Sequence, residues 1–166
     1  MNMDSILNKL KNKEVLRIGR ASDMLCVSLG HWIQRPDKSK QFSETEIHYQ
    51  CPWRIIDLSN QEIILASFDI YLPIKEEDYN ETYNWDIRGN NLFDKFFEES
   101  QRFSGLVIED IQVDGKNDLR LFFSNHTMLE TFICTSVKTE ECWRVFSREG
   151  DRNHLVVYPN KFFCLE

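Results

Sequence analysis

The densest gathering of chemically capable side chains is His48, Cys51, Trp53 and Arg54, within the stretch Glu46–Ile56 (EIHYQCPWRII). A cysteine nucleophile needs an imidazole or a helix N-terminus beside it to become a thiolate. Along a strand an offset of three residues sends Cys51 and His48 to opposite faces, because side chains alternate with period two. Cys134 and His126 are too far apart along one run to meet without a turn, and no cysteine opens a helical stretch. No catalytic residue is assigned.

A metal site needs converging imidazoles or carboxylates, and His31, His48, His126 and His154 are scattered without ligand spacing. Glu46, His48 and Asp69 would meet only in one register of a hairpin, so no metal and no cofactor is assigned. With 27 acidic residues, carboxylate pairs are too numerous to single out an acid–base couple. GxGxxG, GxxxxGK and GxSxG are all absent, which removes the local warrant for nucleotide-binding and α/β-hydrolase readings.

Two candidates for binding remain. Arg54 shares the polar face of its strand with His48 and Gln50, where a guanidinium grips an anion or a partner's carboxylate. The competing role is a structural pair with Glu46 or Asp57. The second candidate is the loop 76–86, where Tyr79, Tyr83 and Trp85 alternate with Glu76, Glu77, Asp78, Glu81 and Asp86. Negative charge steers a basic surface, and Tyr or Trp supplies contact energy. Its competing role is a solvated loop whose aromatic rings tuck back on the body.

The elements that position these residues read mainly as strands. Asp4 or Ser5 caps a short helix carrying Ile6, Leu7 and Leu10. Val15–Gly19 and Asp23–Trp32 are strands, 34–44 is an exposed loop with Pro36, and Glu46–Ile56 places Ile47, Tyr49, Cys51, Trp53 and Ile55 on a core face. Pro52 cannot donate to a ladder, so it marks an edge or bulge. Asp57–Asn60 turns into Glu62–Tyr71, a returning strand apolar on both faces and hence central.

After 72–90 comes a helix over Asn91–Arg102, with Asn91 as cap and a stripe of Leu92, Phe93, Phe96 and Phe97 that packs on a sheet. Leu106–Val113 and Leu119–Ser124 form a hairpin across Asp114-Gly115-Lys116-Asn117, Asp-Gly supplying positive φ. Strands follow at Met128–Ser136, Cys142–Ser147, His154–Tyr158 and Phe162–Leu165, with a tight turn at Gly150–Asp151. The fold class is α+β: a large, curved, mainly antiparallel sheet of about eight or nine strands with two short helices, in one domain over 1–166.

At 166 residues the chain can bury roughly 68–70 % of its unfolded surface, so it needs no disulfide or metal to fold. A net charge of −7 argues against nucleic-acid and anionic-membrane binding and favours basic partners. Cys26, Cys51, Cys134, Cys142 and Cys164 are odd in number, widely spaced and without a CxxC pair. Four of them lie in strand-like runs, where cysteine acts as a small hydrophobe. With no signal-peptide stretch at the N-terminus and no membrane-length apolar run, the expectation is a cytoplasmic, reduced protein.

The core HYQCPWRI, followed by a hairpin and the terminal FDIY, resembles a group of small uncharacterised bacterial proteins carrying a CPWR strand motif. The resemblance covers 46–71 and implies a bacterial cytosolic single-domain protein, with no catalytic role carried over. In size and charge the chain is also similar to immunity proteins that neutralise toxins. The reading is therefore a non-catalytic interaction domain that binds a basic partner through the 76–86 loop and a sheet face. The alternative is a small-molecule-binding or enzymatic domain, its pocket between helix 91–102 and the sheet and lined by His48, Arg54 and Asp69.

Overall fold

Apolar and polar residues alternate with period two through most of the chain, and the backbone follows that alternation into strands. The computed structural model describes residues 2–34, 40–99, 102–149 and 154–165, with the backbone alone described for 163–165. The polar loop centred on Pro36, the last turn of the second helix and the turn at Gly150–Asp151 lie outside or at the edge of the described residues.

Six strands form one antiparallel sheet: β1 (Val15–Ala21), β2 (Met24–Gln34), β3 (Gln41–Tyr49), β9 (Trp143–Ser147), β10 (His154–Tyr158) and β11 (Lys161–Leu165), paired in that order. Five form a second: β4 (Trp53–Asp57), β5 (Glu62–Ala66), β6 (Ile108–Val113), β7 (Leu119–Phe123) and β8 (Thr127–Thr131), in the order β5-β4-β8-β7-β6. With the two short helices α1 (Met3–Asn8) and α2 (Leu92–Glu99), this is an α+β fold dominated by antiparallel sheet. The described strands number eleven, more than the eight or nine expected, and they are divided between two sheets.

The stretch Glu46–Ile56 makes that division. It is two strands rather than one: β3 ends at Tyr49, and β4 begins at Trp53 in the other sheet. Between them Pro52 has no N–H for a ladder, and the backbone turns the corner there. Gln50 and Cys51 donate their N–H groups to the Cys142 carbonyl at 2.8 and 3.1 Å, which fixes the corner against β9. Tyr49, Cys51, Trp53 and Ile55 are all buried, so the inward face persists around the bend and both sheets share one apolar cluster. Truncating Trp53 or Trp143 in that cluster removes a fully buried ring, a change that costs about 3–5 kcal/mol.

Several local expectations are corrected. Asn2, not Asp4 or Ser5, caps α1, its Oδ1 accepting the Ser5 N–H at 2.8 Å. The run Glu62–Tyr71 stays a strand only to Ala66, then tightens into a 3-10 turn over Ser67–Tyr71. β5 is an edge strand and not a central one; Ile63 is 56 % exposed. The β6–β7 hairpin forms in the expected place, but the positive φ falls on Asn117 (φ 70) and not on Gly115. Asp114 Oδ1 accepts the N–H groups of Lys116 and Asp118, which organises the turn without a left-handed glycine. The strand expected over Met128–Ser136 ends at Thr131, leaving Cys134 exposed.

Asn91 caps α2 as its type suggests, accepting the Asp94 N–H at 2.8 Å. The helix stripe is packing: Phe93 is buried edge-on to Trp53 at 5.9 Å, and Phe97 and Phe103 continue the aromatic contacts to Phe123. α2 rests against the 3-10 turn and β1. No helix among the described residues is long and apolar enough to cross a membrane.

Candidate functional site

Of the three residues expected to line one pocket, His48 and Arg54 stand on strands of different sheets and Asp69 lies in the 3-10 turn after β5. Arg54 projects from the outward face of β4, opposite Glu130 on β8, which in turn lies opposite Arg120 on β7. Glu130 is buried, and its two oxygens are divided between Arg54 and Arg120, the latter at 3.3 Å. The Arg54 guanidinium also lies 4.8 Å from the Phe132 ring centroid. Its carboxylate partner is thus neither Glu46 nor Asp57. Asp57 takes Arg102 at 2.6 Å, while Glu46 accepts from Ser28 and Ser43. This Arg-Glu-Arg row ties three strands together.

His48 sits on the outward face of the other sheet, edge-on to Phe146 at 4.9 Å. Burial pushes its imidazole below the ordinary histidine range, opposed by Glu46 and assisted by Arg144 and Arg148. Asp69 belongs to the 3-10 turn, where Oδ2 accepts the Ala66 N–H at 2.8 Å. It serves the backbone. None of His48, Arg54 and Asp69 lines the cleft at the corner between the sheets or the cleft between α2 and β1.

The acidic, aromatic segment divides by function. Arg20 of β1 reaches under it with its side chain only 5 % exposed and meets Asp94, 6 % exposed, through Nε–Oδ1 at 2.8 Å and Nη2–Oδ2 at 2.7 Å. The same guanidinium holds the carbonyls of Trp85 and Asp86 at 3.3 Å and the Asp86 carboxylate at 3.2 Å. Asn91 Nδ2 donates to the Trp85 carbonyl, and Gly89 N–H donates to Asp94. Burial alone would push the Asp94 carboxyl up, but Arg20 and the Gly89 N–H outweigh it and hold the group below its ordinary range. Trp85 therefore tucks against the core and Tyr71, at 4.8 Å between rings. Tyr83 is half-buried, whereas Tyr79 remains 68 % exposed beside Glu76, Glu77, Asp78 and Glu81 in solvent.

A cleft of about 440 Å³ opens at the corner where the chain changes sheets. Gln50, Cys51 and Pro52 form its floor. Asp23 and Met24 at the β1–β2 turn stand on one side, Phe68 and Tyr71 of the 3-10 turn on another, and Glu140 closes it. Tyr71 Oη donates to Asp23 Oδ2 at 2.8 Å, while Phe68, 67 % exposed, lies 6.0 Å from the Tyr71 ring. Among the described residues of the lining both charged ones are acids, and none is a cation. Sequence reasoning missed Asp23, Phe68, Tyr71 and Glu140. The signal within reach was the Phe68–Tyr71 spacing of three, which puts both rings on one side of a helical turn.

A second cleft, about 310 Å³, does lie between α2 and the sheet, against β1, but its polar lining is Arg17, Arg20, Arg88, Asp94 and Glu98. Burial pushes the Cys26 and Cys142 thiols up to about 11 and Cys51 to about 12, which makes these three poor nucleophiles. Among the described residues no group of three His, Cys, Asp or Glu side chains is placed to hold a metal ion. Comparison with protein-family models, curated proteins and solved structures finds no match.

Proposed function

We propose that this chain is a non-catalytic interaction protein, immunity-like in character, that binds a basic protein partner over the corner cleft and the exposed acids of 76–81. The observation that carries the reading is the cleft lining: two carboxylates, two aromatic rings and, among the described residues, no cation. A lysine or arginine entering it meets Asp23 and Glu140, with Phe68 and Tyr71 available to the cation through their ring faces. Exposed Tyr79 and its neighbouring acids extend the same chemistry along the segment, and the net charge of −7 favours approach of a basic surface. The setting that goes with this reading is a bacterial cytoplasm, in which the thiols stay reduced.

The test is capture by tagged protein from lysate of its own source. The reading expects a basic protein retained at low salt and released by high salt, with retention lost when Asp23→Asn, Phe68→Ala and Glu140→Gln are combined. Retention of nothing at low salt, or equal retention by the triple variant, would contradict it.

A further inference from the structure

The cleft between α2 and β1 differs from the corner cleft in sign. Arg17 and Arg88 come from two separate parts of the chain, β1 and the segment before α2, and converge on one opening with Arg20. Arg20 is saturated by Asp94 and Asp86, so its charge is already matched. Arg17 and Arg88 are exposed, and Arg88 adds its charge to that of Arg20 in holding the Asp94 carboxyl down. Glu98, on α2, is the remaining acid of the lining. In a chain with seven more acids than bases, three guanidinium groups against two carboxylates at one cleft are a local reversal of charge.

The floor is apolar. Half-buried Phe97, in contact with the buried Phe93, presents aromatic surface from α2, and β1 lies at the edge of its sheet, so no further described strand covers this side. Gly19 helps shape the opening: a Cβ there would sit 3.5 Å from Arg17 Nε, so the guanidinium lies back along the strand over the glycine. A volume near 310 Å³ is at the low end of the range for small-molecule sites, about 300–1,000 Å³. Charge-assisted forks above an aromatic floor suit a ligand with an anionic head and a flat apolar body.

We propose that this cleft binds a small organic anion, a carboxylate or phosphate carried on a ring, with Arg17 and Arg88 holding the anionic head and Phe97 the ring. The site shares no residue with the corner cleft and does not depend on the docking reading.

Phenyl phosphate serves as the probe, titrated into the full chain while backbone amide resonances are followed, with inorganic phosphate in parallel. The expected result is saturable shifts at Gly19, Arg88, Phe93 and Phe97, and tighter binding of phenyl phosphate than of inorganic phosphate. Arg17→Ala and Arg88→Ala each weaken it by roughly tenfold, since each removes a charge-assisted contact. Glu98→Gln tightens it, and Lys75→Ala, remote from the cleft, leaves it unchanged. Absence of saturable shifts would overturn the proposal, as would wild-type affinity in the double arginine variant. Equal binding of the two probes would mean an adventitious ion only, and would overturn it as well. Both arginines are exposed, so their loss leaves the fold intact for the comparison.

Discussion

The two ends of the segment between the 3-10 turn and α2 are made of the same residue types and are held in opposite ways. Residues 76–81 set Glu76, Glu77, Asp78 and Glu81 in water around an exposed Tyr79. Residues 83–91 turn Trp85 inward and give their carbonyls to Arg20, which is itself clamped by Asp94. The difference is one buried guanidinium. Where a cation beneath the chain satisfies backbone and carboxylate, acidic aromatic sequence becomes scaffold; where none does, it stays surface.

Removing the clamp is the most damaging way to break this comparison. Asp94→Ala leaves the buried Arg20 with only the exposed Asp86 as a carboxylate partner, and urea denaturation should show a loss of about 3–5 kcal/mol. Stability no worse than for a surface substitution would place the anchor elsewhere. The pH dependence sharpens the same point. Because the folded Asp94 carboxyl lies below its unfolded value of about 3.9, its contribution is present above that pH and is lost as pH falls through the folded value. Asp94→Asn should therefore show a flatter acid limb below about pH 4 than wild type; identical limbs would deny the ion pair its role.

Trp85→Ala ranks next, a drop of about 1–3 kcal/mol on thermal melting, as befits a half-buried ring packed on Tyr71 and the core. Tyr79→Ala should leave stability within about 0.5 kcal/mol of wild type while reducing retention of a basic partner. A Tyr79 variant that unfolds early, or a Trp85 variant that does not, would erase the distinction between the two ends.

Much of the fold was legible because period-two alternation is a local signal. Ile47, Tyr49, Cys51, Trp53 and Ile55 are buried as their spacing requires. The change of sheet at Pro52 was not legible, because an inward face that continues around a corner leaves the alternation unbroken; proline alone marked the place. Ile63 and Ile64 made β5 look central, although Ile63 faces solvent at an edge. The site was less readable still. Arg54 finds Glu130, and Arg20 finds Asp94, across strand and helix contacts that composition does not encode. The corner cleft joins Asp23, Pro52, Phe68 and Glu140, which only the sheet-to-sheet crossing brings together.

The central claim is that the corner cleft, and not diffuse negative charge, receives a basic partner. The direct measurement is a titration of the purified chain with a lysine- and arginine-rich peptide, read from amide resonances at moderate salt. The account predicts shifts concentrated at Asp23–Met24, Gln50–Cys51, Ser67–Tyr71 and Glu140, spreading to Tyr79 and its acidic neighbours. Shifts of equal size at acids remote from the cleft, such as Glu62, Glu109 and Glu149, or no saturable shifts, would contradict it.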